Sequence, residues 1–103
     1  MIYDIEVKQQ GKPIAHHIMD AVNALTAINL VESTYGSSVR YEMALFEDNH
    51  SHLHQIIVAN NWHGYTFEAR AIGLFTPDQL VNLQPERYGV SGLSFRQKTI
   101  PTP

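Results

Sequence analysis

DAVNALTAINLVESTYG, residues 20–36, is the stretch on which the reading of the whole chain turns. Ala21, Val22, Leu25, Ile28, Val31 or Glu32, and Tyr35 recur at steps of three and four residues, the spacing of one face of an α-helix. Asp20 stands where a helix N-cap is favoured and Gly36 where helices commonly stop, which predicts about four turns between them. Ala21, Ala24 and Ala27 keep that face slim, so the helix can lie close to a sheet. A helix of this kind needs a partner layer, and the flanking sequence supplies one.

Upstream, Tyr3, Ile5 and Val7 alternate with Asp4, Glu6 and Lys8, the period of a half-buried strand. Gln9-Gln10-Gly11-Lys12 reads as a turn, and Pro13 to Met19 as a second strand closing a hairpin. Pro13 has no N–H to donate, which suits a strand start or a sheet edge. Downstream, three more strands are predicted at Val39 to Phe46, Leu53 to Ala59 and Gly64 to Ala71. Pairing Met43 with Ile56, Tyr41 with Val58, Val58 with Tyr65 and Ile56 with Phe67 gathers apolar residues on one face. Arg40, Glu42, Gln55, Ile57, Thr66, Glu68 and Arg70 then form a mostly polar reverse face, so one helix on one side suffices. Thr76-Pro77-Asp78-Gln79 is a helix start with a capping Thr, predicting a short helix to Leu83. The expectation is an α+β domain over residues 1–84: a β-β-α-β-β-β antiparallel sheet, one long helix on one face and a short C-terminal helix. Residues 85–103, thin in apolar residues, are expected to form an extended C-terminal arm.

Composition narrows the function classes. The chain has 103 residues, 44% of them hydrophobic, with a formal charge of −3. The charge is uneven. Residues 1–71 hold four bases against eight acids, a net of −4, while residues 72–103 hold three bases against two acids. An acidic body repels phosphate backbones, so nucleic acid is not an expected partner of the folded part. The absence of cysteine excludes disulfides, thiolate zinc sites and thiol nucleophiles. No apolar stretch approaches the length of a membrane span, and the N-terminus lacks the basic and apolar regions of a signal peptide. A cytoplasmic protein is the expectation. No phosphate-binding glycine loop, nucleophile elbow or zinc-helix motif occurs, and no carboxylate pair stands out, so catalysis is not expected.

Two features remain. His50-Ser51-His52-Leu53-His54 places alternate histidines on a strand, a spacing that can chelate a divalent metal. On a straight strand His50 and His54 lie about 13 Å apart. The candidate ligands are therefore His50 and His52, with Asp48 as the nearest carboxylate. The second feature is Asn60-Asn61-Trp62-His63-Gly64-Tyr65, which sets the only Trp of the chain at a hairpin tip among polar residues. Trp62 can fold back to cap the core, or stand out as a contact residue of the kind favoured at binding hot spots. The candidate partner-binding set is Trp62, His63 and Tyr65 together with Glu42, Ile57, Glu68 and Arg70 of the polar sheet face.

Gln10-Gly11-Lys12-Pro13-Ile14, Ala24-Leu25-Thr26-Ala27-Ile28-Asn29-Leu30-Val31-Glu32, Tyr35-Gly36 and Val39-Arg40-Tyr41-Glu42 resemble segments of small uncharacterised proteins of bacterial plasmids and integrative conjugative elements. The likeness is clearest over residues 2–46. It implies a mobile-element context and carries no catalytic residue. The expected function is a non-catalytic protein-interaction module that binds a protein partner and assembles as a homo-oligomer. Its alternatives are an inhibitor of a host defence or nucleic-acid-binding protein acting through an acidic surface, and a metal-binding protein or metalloenzyme using the His50–His54 loop.

Overall fold

The computed structural model describes residues 1–80 and 93–99. Among them the elements run β1 (Ile2–Gln9), β2 (Lys12–Asp20), α1 (Ala24–Tyr35), β3 (Arg40–Glu47), β4 (Leu53–Asn60), β5 (Tyr65–Ile72), α2 (Pro77–Leu80) and β6 (Leu93–Thr99). The sheet order is β2-β1-β5-β4-β3-β6, so the first hairpin joins the last three-strand meander through the β1–β5 pair. All pairs from β2 to β3 are antiparallel. The chain is α+β, with one helix laid across one face.

α1 starts three residues later than its apolar spacing predicts. Asp20 is still paired with Ile2 at the end of β2, and its carboxylate holds the N-terminal ammonium at 3.0 Å. Asn23 becomes the N-cap instead: its extended backbone lets the side chain accept from the Thr26 N–H at 2.8 Å. Val22 is thereby left outside the helix and exposed. Gly36 ends the helix as expected, its N–H donating to the Glu32 carbonyl at 2.8 Å.

The helix buries Ala24, Leu25, Ala27, Ile28 and Val31 against Tyr3, Ile5 and Val7 of β1, Met43 of β3, Ile57 and Ala59 of β4, and Phe67 and Ala69 of β5. Alanines on both sides of this contact (Ala24 and Ala27 on the helix, Ala59 and Ala69 on the sheet) allow close approach while Phe67, Ile28 and Tyr3 fill the remaining space.

The register of β4 corrects the sequence expectation. Met43 faces Ile57, not Ile56, and Tyr41 faces Ala59, not Val58. Ala59 in turn faces Phe67. The one-residue slip turns β4 over: Ile57 is fully buried in the core and Gln55 is buried beside it, while Ile56 and Val58 lie on the open face. The cause is the run Ile56-Ile57-Val58-Ala59, which is apolar at both parities, so alternation alone cannot choose its inner face. In β5, with its polar Thr66, Glu68 and Arg70, alternation suffices and Phe67 is inside as expected.

Thr76 caps α2, its N–H donating to Gln79 Oε1 at 2.8 Å, and the described part of that helix ends at Leu80. The predicted continuation to Leu83 and most of the predicted arm lie outside the described residues. Leu93–Thr99, within the arm, is a strand parallel to β3. No helix among the described residues is long and apolar enough to cross a membrane.

Candidate functional site

The two ends of the sheet carry the two sequence features. At one end lie the β1–β2 turn, the C-terminus of α1 and the β4–β5 turn; at the other lie the N-terminus, the start of α1 and the β3–β4 loop. Trp62 belongs to the first and the histidine run to the second.

The β4–β5 turn is organised by Asn61, only 8% exposed. Its side-chain Nδ2 donates to the carbonyls of Tyr35 (2.9 Å) and Gly36 (3.3 Å), which the end of α1 would otherwise leave unpaired. Its Oδ1 accepts from the backbone N–H groups of His63 (2.9 Å) and Tyr65 (3.1 Å). One amide thus closes the turn and ties it to the helix. Gly36 makes room for it. With φ at 108° it occupies backbone space that side chains disfavour, and a Cβ there would lie 3.2 Å from both Asn61 Nδ2 and His63 Cδ2. The neighbouring turn is joined as well, since the Gln10 N–H donates to the Gly64 carbonyl at 3.0 Å.

A second brace lies beneath. The buried Glu32 carboxylate accepts from the Ser38 N–H (2.6 Å) and the Tyr41 hydroxyl (2.8 Å), fixing the path from α1 into β3. Burial and the Glu32 carboxylate together push the Tyr41 hydroxyl up to about 12. Tyr65, expected on the contact surface, is half-buried with its ring 5.2 Å from that of Tyr35, which also meets Phe67 and His17. His17 bonds the Tyr35 hydroxyl at 3.0 Å. Tyr65 therefore supports the turn from below.

Trp62 does not fold back. It is 85% exposed at the apex of this braced turn, with His63 exposed beside it and Val39 exposed on the adjoining strand entry. A large rigid aromatic ring is held out in solvent by a turn that the Asn61 amide braces on both sides.

The other expected contact residues divide between faces. Ile57 is in the core and belongs to no surface. Glu42, Glu68 and Arg70 do lie on the open face, within a ladder of ion pairs. Arg40 meets Glu42 at 2.9 Å, Lys8 meets Glu6 at 3.3 Å and Glu68 at 3.6 Å, and Arg70 pairs with Glu68. His16 sits between Asp4 (3.0 Å) and Glu6 (3.3 Å), and its hydrogen bond to Asp4 raises its pKa above 6.5. Each of the carboxylates Asp4, Glu6, Glu42 and Glu68 thus meets a basic side chain.

At the far end Asp48 is the organiser. Its Oδ1 accepts from the backbone N–H groups of His50 (2.8 Å) and His52 (3.0 Å), and its Oδ2 takes the His54 Nε2 at 2.8 Å and the His52 Nδ1 at 3.5 Å. The His54 bond, aided by those backbone groups, holds its carboxyl well below the usual carboxylate range. The expected ligands His50 and His52 sit with ring centroids 6.1 Å apart. Among the described residues no group of three His, Asp or Glu side chains is placed to hold one ion. His54, set aside on the straight-strand distance, makes the shortest side-chain contact with Asp48, across a loop in which Ser51 takes φ 63°. The clue in the sequence was Asp48 itself, a residue that bonds the backbone two positions on and so begins a turn. His54 also lines a cleft of about 80 Å³ with Gln55, Ile56, Arg70, Ala71 and Phe75.

Asn61 was legible only as part of a hairpin tip; its bonds to a helix end some 25 residues earlier in the chain have no local signature. Compared with known protein families, with curated proteins and with solved structures, the chain matches none.

Proposed function

We propose that the chain is a non-catalytic protein-interaction module of a bacterial mobile element, and that it engages a protein partner through the Trp62 turn. The observation that carries the reading is Trp62, 85% exposed on a turn held by Asn61. A pre-ordered aromatic loses little conformational freedom on binding, which is why such residues dominate contact energies. His63 and Val39 supply a polar and an apolar neighbour for the same contact. The mobile-element context rests on the resemblance of residues 2–46. An acidic decoy draws less from the geometry, because the open face neutralises its own carboxylates. A metal site draws less too, because Asp48 spends its oxygens on the loop's own N–H and imidazole groups.

The test is capture from bacterial lysate with three baits: wild type, Trp62→Ala and Val22→Ala. Val22 is an exposed apolar residue at the opposite end of the sheet. Proteins retained by wild type and by Val22→Ala should be lost with Trp62→Ala, with affinity falling by roughly 30-fold or more, as for a hot-spot residue. Equal capture by all three baits would rule the turn out as the contact.

A further inference from the structure

β2 is a free edge among the described residues. β1 pairs with it on one side only, whereas β3, towards the other edge, is joined by β6. A free edge presents unpaired N–H and C=O groups that accept another strand. Lys12, Pro13 and an irregularity at Ile14 blunt one end of β2, but from there on the edge displays Ile14 at 48% and Ile18 at 66% exposure. These flank His16 on the open face, as the pairing of Asp4 with Ile18 and Glu6 with His16 requires.

β2, Lys12-Pro13-Ile14-Ala15-His16-His17-Ile18-Met19-Asp20, carries Ile14 and Ile18 symmetrically about His16. In an antiparallel pair of two copies centred on that residue, Ile14 of each faces Ile18 of the other. Ala15 faces His17. Each contact occurs twice, as a two-fold axis demands. Moving the centre to Ala15 sets Ile14 against His16. Moving it to His17 sets Ile18 against His16 and Ile14 against Asp20. A half-step register would oppose residues of different faces, which a continuous sheet does not allow. Of these three registers only the one centred on His16 sets Ile14 against Ile18.

We infer that β2 is a self-pairing edge: two copies of the chain join antiparallel through Ile14–Ile18 into one continuous sheet with His16 at the two-fold. The ladder is confined to those residues because β2 is irregular at Ile14, which lies between the Val7–Ala15 and Lys8–Pro13 pairs without a partner of its own in β1, and because Pro13 has no N–H. Each His16 keeps its own Asp4 and Glu6, so the two imidazoles meet with carboxylates already beside them. The surface is separate from the Trp62 turn and the inference does not rest on it.

The chain has no cysteine, so single introduced thiols report the register directly. Opposed residues in an antiparallel pair have Cβ atoms about 4.5–5.5 Å apart, within reach of oxidation or a short bifunctional reagent. His16→Cys should crosslink to itself. Ile18→Cys alone should not, but should crosslink when mixed with Ile14→Cys. In sedimentation equilibrium the wild type should dimerise, and Ile18→Lys should raise the dissociation constant on the order of tenfold or more with unchanged circular dichroism. A wild type that stays monomeric at the highest concentrations overturns the inference. So does an Ile18→Lys variant that dimerises as well as wild type, or a Trp62→Cys variant that crosslinks as readily as His16→Cys.

Discussion

The two ends of the sheet solve the same problem differently. Each has a loop closed by one Asn or Asp side chain that takes backbone N–H groups two and four residues on. Asn61 is buried, and its second hand reaches across the fold to the carbonyls at the end of α1. Asp48 works within its own loop, and its second hand is a half-buried charged pairing with His52 and His54. The neutral, buried clamp makes a platform insensitive to pH and salt; the charged, accessible one makes a loop whose order depends on both. The difference indicates which end is built to present a fixed shape, and Trp62 stands on that end.

Substitutions rank this contrast. Asn61→Ala should be the most damaging, since it strips partners from two helix carbonyls and two turn N–H groups at once. A loss of about 2–4 kcal/mol is expected in urea unfolding, at the scale of buried groups left unpaired. Gly36→Ala should follow at about 1–3 kcal/mol, because φ at 108° and the close Asn61 amide both oppose a side chain. If either variant unfolds like wild type, the clamp is not what holds the turn.

Asp48→Asn should cost less at neutral pH and change the shape of the pH profile. The folded-state pKa of Asp48 lies below its ordinary 3.8, so its contribution is present above that pH and is lost as pH falls below it. Thermal melting from pH 6 downward should therefore show a wild-type acid decline that Asp48→Asn lacks in part; superimposable profiles would break the contrast. Trp62→Ala should change stability least, within about 0.5 kcal/mol, as expected for an exposed side chain. A loss of the size seen for buried tryptophans, about 3–5 kcal/mol, would mean that the ring covers the core in solution.

Much of the fold was legible along the chain because its signals are local. Tyr3, Ile5 and Val7 are separated by charged residues, so β1 has one choice of inner face. Gly36 marks the helix end because its backbone conformation is one that few other residues accept. The start of α1 was misread because Asp20 and Asn23 are both good caps, and only pairing of Asp20 with Ile2 removes the first from contention. The candidate site was legible as a location and not as a state. Trp62 was found at a hairpin tip, but whether it turned in or out depended on Asn61 bonding a helix end distant in sequence. Ile57 was assigned to the wrong face for the reason that its neighbours are apolar too.

By itself, then, the sequence determined the α+β class, the single long helix and where it stops, the first five strands and the prominence of Trp62. These follow from period, capping and turn chemistry, which act over a few residues. Tertiary structure alone decided the parity of β4, the depth of Ile57, the outward pose of Trp62 and the meeting of Asp48 with His54. Each of those is a choice between local options of nearly equal energy, and the choice is made by contacts with segments far away in the chain.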